Sequence, residues 1–96
     1  MDDAFAPPPF KPADALVQLK RTLRDLRGLA ERGNGFSWKG HAVLELSADA
    51  QAIQARLAKR PARTPEWTAF TLKASPDVRR FTDEVKKRLA QWDSDE

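Results

Sequence analysis

Phe36-Ser37-Trp38-Lys39-Gly40-His41-Ala42-Val43-Leu44-Glu45-Leu46 decides the fold class. An aromatic run and an aliphatic run flank Lys39-Gly40, and glycine supplies the backbone freedom that a tight turn needs. Alternation in the second run puts Ala42, Leu44 and Leu46 on one side. The stretch therefore reads as a β-hairpin, and whatever lies on either side of it must cover its apolar face.

Upstream, Leu16, Leu19, Leu23, Leu26 and Ala30 recur at spacings of three and four, which predicts a helix over Ala13 to Arg32. Gly33-Asn34-Gly35 tolerates left-handed geometry and is expected to end it. Gly28 inside this helix marks either close packing or an early fray.

Downstream, Asp49 to Arg60 is rich in Ala, Gln and Arg, with Ser47 or Asp49 available as an N-cap and Pro61 just beyond. These good helix formers predict a second, shorter helix with a thin seam of Ala50, Ile53 and Leu57. Glu66 to Lys73 mixes aromatic and β-branched residues in alternation and reads as a strand, although Thr64-Pro65-Glu66 can equally open a helix. Ser75-Pro76-Asp77 precedes the stripe Val78, Phe81, Val85, Leu89 and Trp92, which predicts a last helix.

The expected order is α-β-β-α-β-α: an α+β fold with a three-stranded, mainly antiparallel sheet, helices packed on one face and the other face partly exposed. Residues 1–12, with prolines at 7, 8, 9 and 12, form an expected flexible arm. Residues 13–92 make one domain, and 93–96 an acidic tail.

Charge is segregated along the chain. Asp2, Asp3, Asp93, Asp95 and Glu96 are acidic ends, and without them all 17 Lys and Arg face nine acids, a net charge of +8 against +3 for the whole chain. Asp83 with Lys87, Glu84 with Arg88 and Arg80 with Glu84 stand four apart, so much of the last helix neutralises itself. The densest basic run is Arg56, Lys59, Arg60 and Arg63. Lys20, Arg24 and Arg27 line one flank of the first helix, and Trp38 and Trp67 are available to stack on bases if exposed. Cations near a helix C-terminus also complement its dipole, so the basic run carries a structural reading beside the functional one.

Catalytic chemistry has little to work with. The chain has no Cys, no Tyr and one histidine, His41 beside the turn glycine. No nucleophile elbow, phosphate loop, dinucleotide fingerprint or calcium loop is present. No enzyme activity, cofactor or metal site is expected, and no run approaches the roughly 18 apolar residues of a membrane span. The acidic, proline-rich start lacks the basic and apolar regions of a secretory signal, which makes the cytoplasm the expected location.

Phe10 to Leu26, Pro65-Glu66-Trp67 and Val85-Lys86-Lys87-Arg88-Leu89 resemble small bacterial proteins of similar length to which no activity is assigned. The resemblance implies a bacterial single-domain protein and transfers no site residue. The expected function is a non-enzymatic module, monomeric or weakly dimeric, that binds a protein partner through its sheet face or first helix. The alternative is nucleic-acid binding through the basic residues named above.

Overall fold

The structure, a computed structural model, describes residues 10–94; the prolines at 7–9 and the last two acidic residues lie outside it. Helix α1 spans Pro12–Arg24 and helix α2 spans Ser75–Ser94. Between them run β1 (Leu29–Arg32), β2 (Gly35–Trp38), β3 (His41–Ala48), β4 (Ile53–Ala58) and β5 (Trp67–Leu72). All five strands form one antiparallel sheet in chain order, β1-β2-β3-β4-β5. The fold is α+β, with two helices and five strands rather than the expected three and three. Phe10 packs against the core and Pro12 is buried at the start of α1.

Each hairpin has its own turn chemistry. Lys39 and Gly40 both take positive φ, 52° and 88°, which is the type I′ pattern that matches strand twist. Gly33, at φ 55°, opens the two-residue turn that links Arg32 to Gly35. Gly33-Asn34 therefore closes a hairpin and does not cap a helix. Asp49 Oδ1 accepts the backbone N–H groups of Gln51 and Ala52, each at 2.8 Å, and so closes the turn between β3 and β4.

Two helical expectations fail for identifiable reasons. The helix over residues 49–60 is a strand. Its helix formers gain at most about 0.7 kcal/mol each, whereas burying Ile53 or Leu57 contributes about 1.5–3 kcal/mol. Ile53, Ala55 and Leu57 alternate with exposed Gln54 and Arg56, and period two wins. The first helix stops at Arg24, eight residues short of the expected Arg32, because Gly28 takes φ 96° and turns the chain back. Residues 29–32 then pair with β2 as an added strand. The strand over Glu66 to Lys73 and the last helix form as read.

The hairpin at Lys39-Gly40 carries a bulge between Phe36 and Ser37: Phe36 pairs with Leu44, yet Ser37 pairs with Ala42, leaving Val43 as the extra residue. Val43 joins Leu44 and Leu46 in the core, and Ala42 is exposed on the other side. The expected grouping of Ala42 with Leu44 and Leu46 is thus corrected by one inserted residue.

The core lies between one sheet face and both helices. Leu19 and Leu23 of α1 and Phe81, Val85, Leu89 and Trp92 of α2 meet Phe36, Trp38, Leu44, Leu46, Ile53, Leu57 and Leu72. At 13 residues α1 is too short to be stable alone, so this packing holds it. Where the β3–β4 ladder ends at Leu44 and Leu57, Arg88 donates from Nη1 to the Ala58 carbonyl at 3.0 Å, and Trp92 Nε1 donates to the Lys59 carbonyl at 3.4 Å. The helix thereby satisfies carbonyls at the end of the ladder.

Gly28 and Gly33 allow a controlled comparison. A Cβ on Gly28 would lie 2.2 Å from the Trp38 ring, whereas one on Gly33 meets nothing within 4 Å. Gly33→Ala should cost about 1 kcal/mol of backbone strain, and Gly28→Ala more than about 2 kcal/mol, because it also displaces a core tryptophan. Denaturant unfolding measures both; equal costs would place the ring elsewhere.

Asp49 also makes stability depend on pH. The N–H groups of Gln51 and Ala52, together with the Gln54 amide, hold its carboxyl below the ordinary value. A depressed carboxyl contributes stability above its unfolded pKa and loses that contribution as pH falls through the folded value. Wild type should therefore lose more stability than Asp49→Asn below about pH 4. Thermal unfolding of both proteins across that range is the measurement.

Candidate functional site

The helices take one face of the sheet, and strand alternation sends the intervening side chains to the other. Arg32 of β1, Ser37 of β2, Glu45 and Ser47 of β3, and Gln54 and Arg56 of β4 line an open groove of about 720 Å³. Among the described residues no helix covers it. Gly35 lets β2 and β3 approach closely beneath it, since the place of a Cβ there is taken by the Leu44 carbonyl.

Cross-strand register sets the side-chain geometry. Glu45 stands directly opposite Arg56, and Glu45 Oε1 accepts from Arg56 Nη1 at 3.0 Å. The Arg56 guanidinium carbon also lies 4.6 Å from the centre of the Trp67 ring, a cation–π contact. Gln54 stands opposite Ser47 and Thr71; its Oε1 accepts the Thr71 hydroxyl at 3.2 Å, and its amide donates to Asp49 Oδ2 at 3.4 Å. The face thus carries two preset polar clusters, Glu45 with Arg56 and Gln54 with Thr71 and Asp49, beside Ala42 and Trp67. Both sides of the Arg56–Glu45 pair are about half exposed, so its net contribution is at most about 1 kcal/mol.

The candidate residues named from the sequence do not share one surface. Arg56 and Trp67 come together on the open face. Lys59, at the end of β4, meets Glu66 at 3.6 Å, and Arg60 and Arg63 are exposed on the loop between β4 and β5. Lys20 and Arg24 sit on α1 and Arg27 on the turn after it, across the sheet from Arg56; Arg24 meets Glu31 of β1 at 3.3 Å. Trp38 is buried, with its ring centre 6.0 Å from that of Trp92, and offers no stacking platform. In α2, Glu84 and Arg88 pair at 2.9 Å as their spacing predicts, while Arg80 reaches Asp77 at 3.8 Å.

Arg32, Ser37, Glu45, Ser47 and Gln54 escaped sequence reasoning. The signal was there at Gln54 and Arg56, two polar residues spaced by two among Ile53, Ala55 and Leu57. Assigning that segment to a helix erased it. Arg32 likewise had been placed on the first helix. The histidine singled out from the sequence lies away from the groove: His41 pairs with Trp38 beside the turn and, by alternation, belongs to the helix side of the sheet. Among the described residues no helix is long and apolar enough to cross a membrane.

The Arg56–Trp67 contact can be measured. Arg56→Ala should cost about 1 kcal/mol, and a double-mutant cycle with Trp67→Ala should return a coupling of about 0.5–1 kcal/mol. Zero coupling in denaturant unfolding would leave the Glu45 pair as the only contribution of Arg56. Compared with known protein families, with curated proteins and with solved structures, the chain matches none.

Proposed function

We propose that this protein is a non-enzymatic binding module whose open sheet face takes a segment of a protein partner. One observation supports the reading above all: a single-layer sheet with both helices on one side and, on the other, a groove of about 720 Å³ lined by Arg32, Ser37, Glu45, Ser47, Gln54 and Arg56. Buried uncharged surface would suit an apolar ligand; here donors and acceptors alternate and the named charges sum to a small positive excess. Such a surface fits a polar, mildly acidic segment, because each group a partner desolvates finds a hydrogen-bonding counterpart. The internal pairs Arg56–Glu45 and Gln54–Thr71 hold the side chains ready and reduce the entropy lost on binding.

A second reading, nucleic-acid binding, has one observation in its favour: the Arg56–Trp67 stack leads into the exposed Arg60 and Arg63 of the next loop. Against it stands the division of the basic residues between opposite sides of the sheet, which leaves fewer of them to neutralise phosphates along a single track.

Capture from native lysate, with cross-linking, separates the readings. Ser47→Trp fills the groove, whereas Lys87→Glu alters the remote, exposed surface of α2. The expected result is a protein retained by wild type and by Lys87→Glu and reduced about tenfold or more by Ser47→Trp, equivalent to about 1.4 kcal/mol of binding. Equal capture by all three, or none, rejects the groove. Titration with DNA and RNA tests the second reading: an affinity that falls steeply with salt and is lost in Arg60→Glu/Arg63→Glu would replace the first, and flat curves at low salt would end the second.

A further inference from the structure

The two edges of the sheet are built differently. β1 is four residues long and carries Glu31 and Arg32, the charged and short form of edge that resists pairing. β5 is six residues, Trp67-Thr68-Ala69-Phe70-Thr71-Leu72, with no charge, proline, glycine or bulge. It ends the sheet, and among the described residues no strand lies on its outer side.

The register shows which backbone groups are open. Lys59 N–H donates to the Glu66 carbonyl, so Leu57 with Thr68 and Ala55 with Phe70 are the bonded pairs of the β4–β5 ladder. Trp67, Ala69 and Thr71 lie between those pairs and aim both N–H and C=O away from β4. The next such donor, Lys73 N–H, is taken by Asp77 Oδ2 at 3.0 Å. The open run therefore has a defined end and is centred on Ala69, its smallest side chain.

We infer that β5 pairs antiparallel with β5 of a second copy of this chain, joining the two sheets into one of ten strands. A two-fold axis at Ala69 sets Ala69 against Ala69 and Trp67 against Thr71 of the other copy, with every open donor facing an open acceptor. The same register sets Phe70 against Thr68 of the second copy. Phe70 is half-buried, stands edge-on to Phe81 at 5.1 Å, and borders a groove of about 300 Å³ between β5 and α2. The groove's polar rim is Asp77, Arg80 and Glu84, with Arg88 bonded to Glu84. Those four charges balance, so two-fold symmetry brings no net like charge across the axis. Residues 7–9 are poor occupants of this edge, because prolines carry no N–H donors. This inference is independent of the open-face reading, because it uses the edge of the sheet and not the groove.

Sedimentation and light scattering over a micromolar to millimolar series, with amide exchange, test it. Wild type should move from one to two chain masses as concentration rises, with the amides of Trp67, Ala69 and Thr71 gaining protection in step. Ala69→Pro removes an N–H that points away from β4, and edge strands tolerate proline there. It should stay at one chain mass with an unchanged circular dichroism spectrum. If it fails to fold, Ala69→Lys places a charge on the exposed face at the same point and should give the same monomer. A wild type that stays monomeric throughout, or a dimer that survives either folded variant, overturns the inference. So does protection of those amides in a monomer that disappears when residues 1–9 are deleted, since the arm would then hold the edge.

Discussion

Trp38 is the contact on which the rest of the arrangement depends. Its ring fills the space above Gly28, where a Cβ would lie 2.2 Å away, and meets Trp92 near the end of α2. Three parts converge there: the turn after α1, the end of β2, and the last turns of α2. A tryptophan buries roughly 150–250 Å², so this one side chain supplies a large share of the apolar contact between the layers. Gly28 cannot be read apart from it. The positive φ that halts the helix also clears the space for the ring, so the start of β1 and the position of Trp38 are one structural decision.

Much of the architecture was legible because burial leaves a period in the sequence. The stripe Val78, Phe81, Val85, Leu89 and Trp92 and the alternation of Trp67 to Leu72 carried enough apolar spacing to identify α2 and β5. Residues 49–60 were misread because Ala, Gln and Arg favour a helix locally, and the decisive term, burial of Ile53, Ala55 and Leu57 against helices at the two ends of the chain, is not local. Asp49 shows the same ambiguity. Its carboxylate does collect backbone N–H groups as an N-cap would, but here it closes a turn into a strand. Of the candidate site, Arg56 and Trp67 were found from charge and aromaticity, whereas Arg32, Glu45 and Gln54 became neighbours only through strand register.

The segregated charge of the sequence resolves into two surfaces on opposite sides of the sheet. Arg24 and its companions on α1 lie on the helix side, and Arg56 lies on the open side with the thickness of the core between them. Several cations already face acids, as in Arg24–Glu31, Arg56–Glu45, Lys59–Glu66 and Arg88–Glu84. Charge per segment therefore overstated what any one partner would meet. The polar open face matters less for its net charge than for the order in which donors and acceptors are set out along it.

Strand order has a kinetic meaning as well. Every strand pairs with its neighbour in the chain, and three of the four connections are tight turns, so the sheet can grow by closing one short loop after another. Short loops cost little closure entropy, and topologies of this kind reach their transition states quickly for β-rich proteins. The contacts of α2 with α1 and with the end of β2 span most of the described chain. That step comes after synthesis of the C-terminal helix, when Trp92 reaches Trp38. Until then α1 alone covers the apolar side of a nearly complete sheet, and the interval between hairpin formation and docking of α2 is when this protein is most exposed to aggregation.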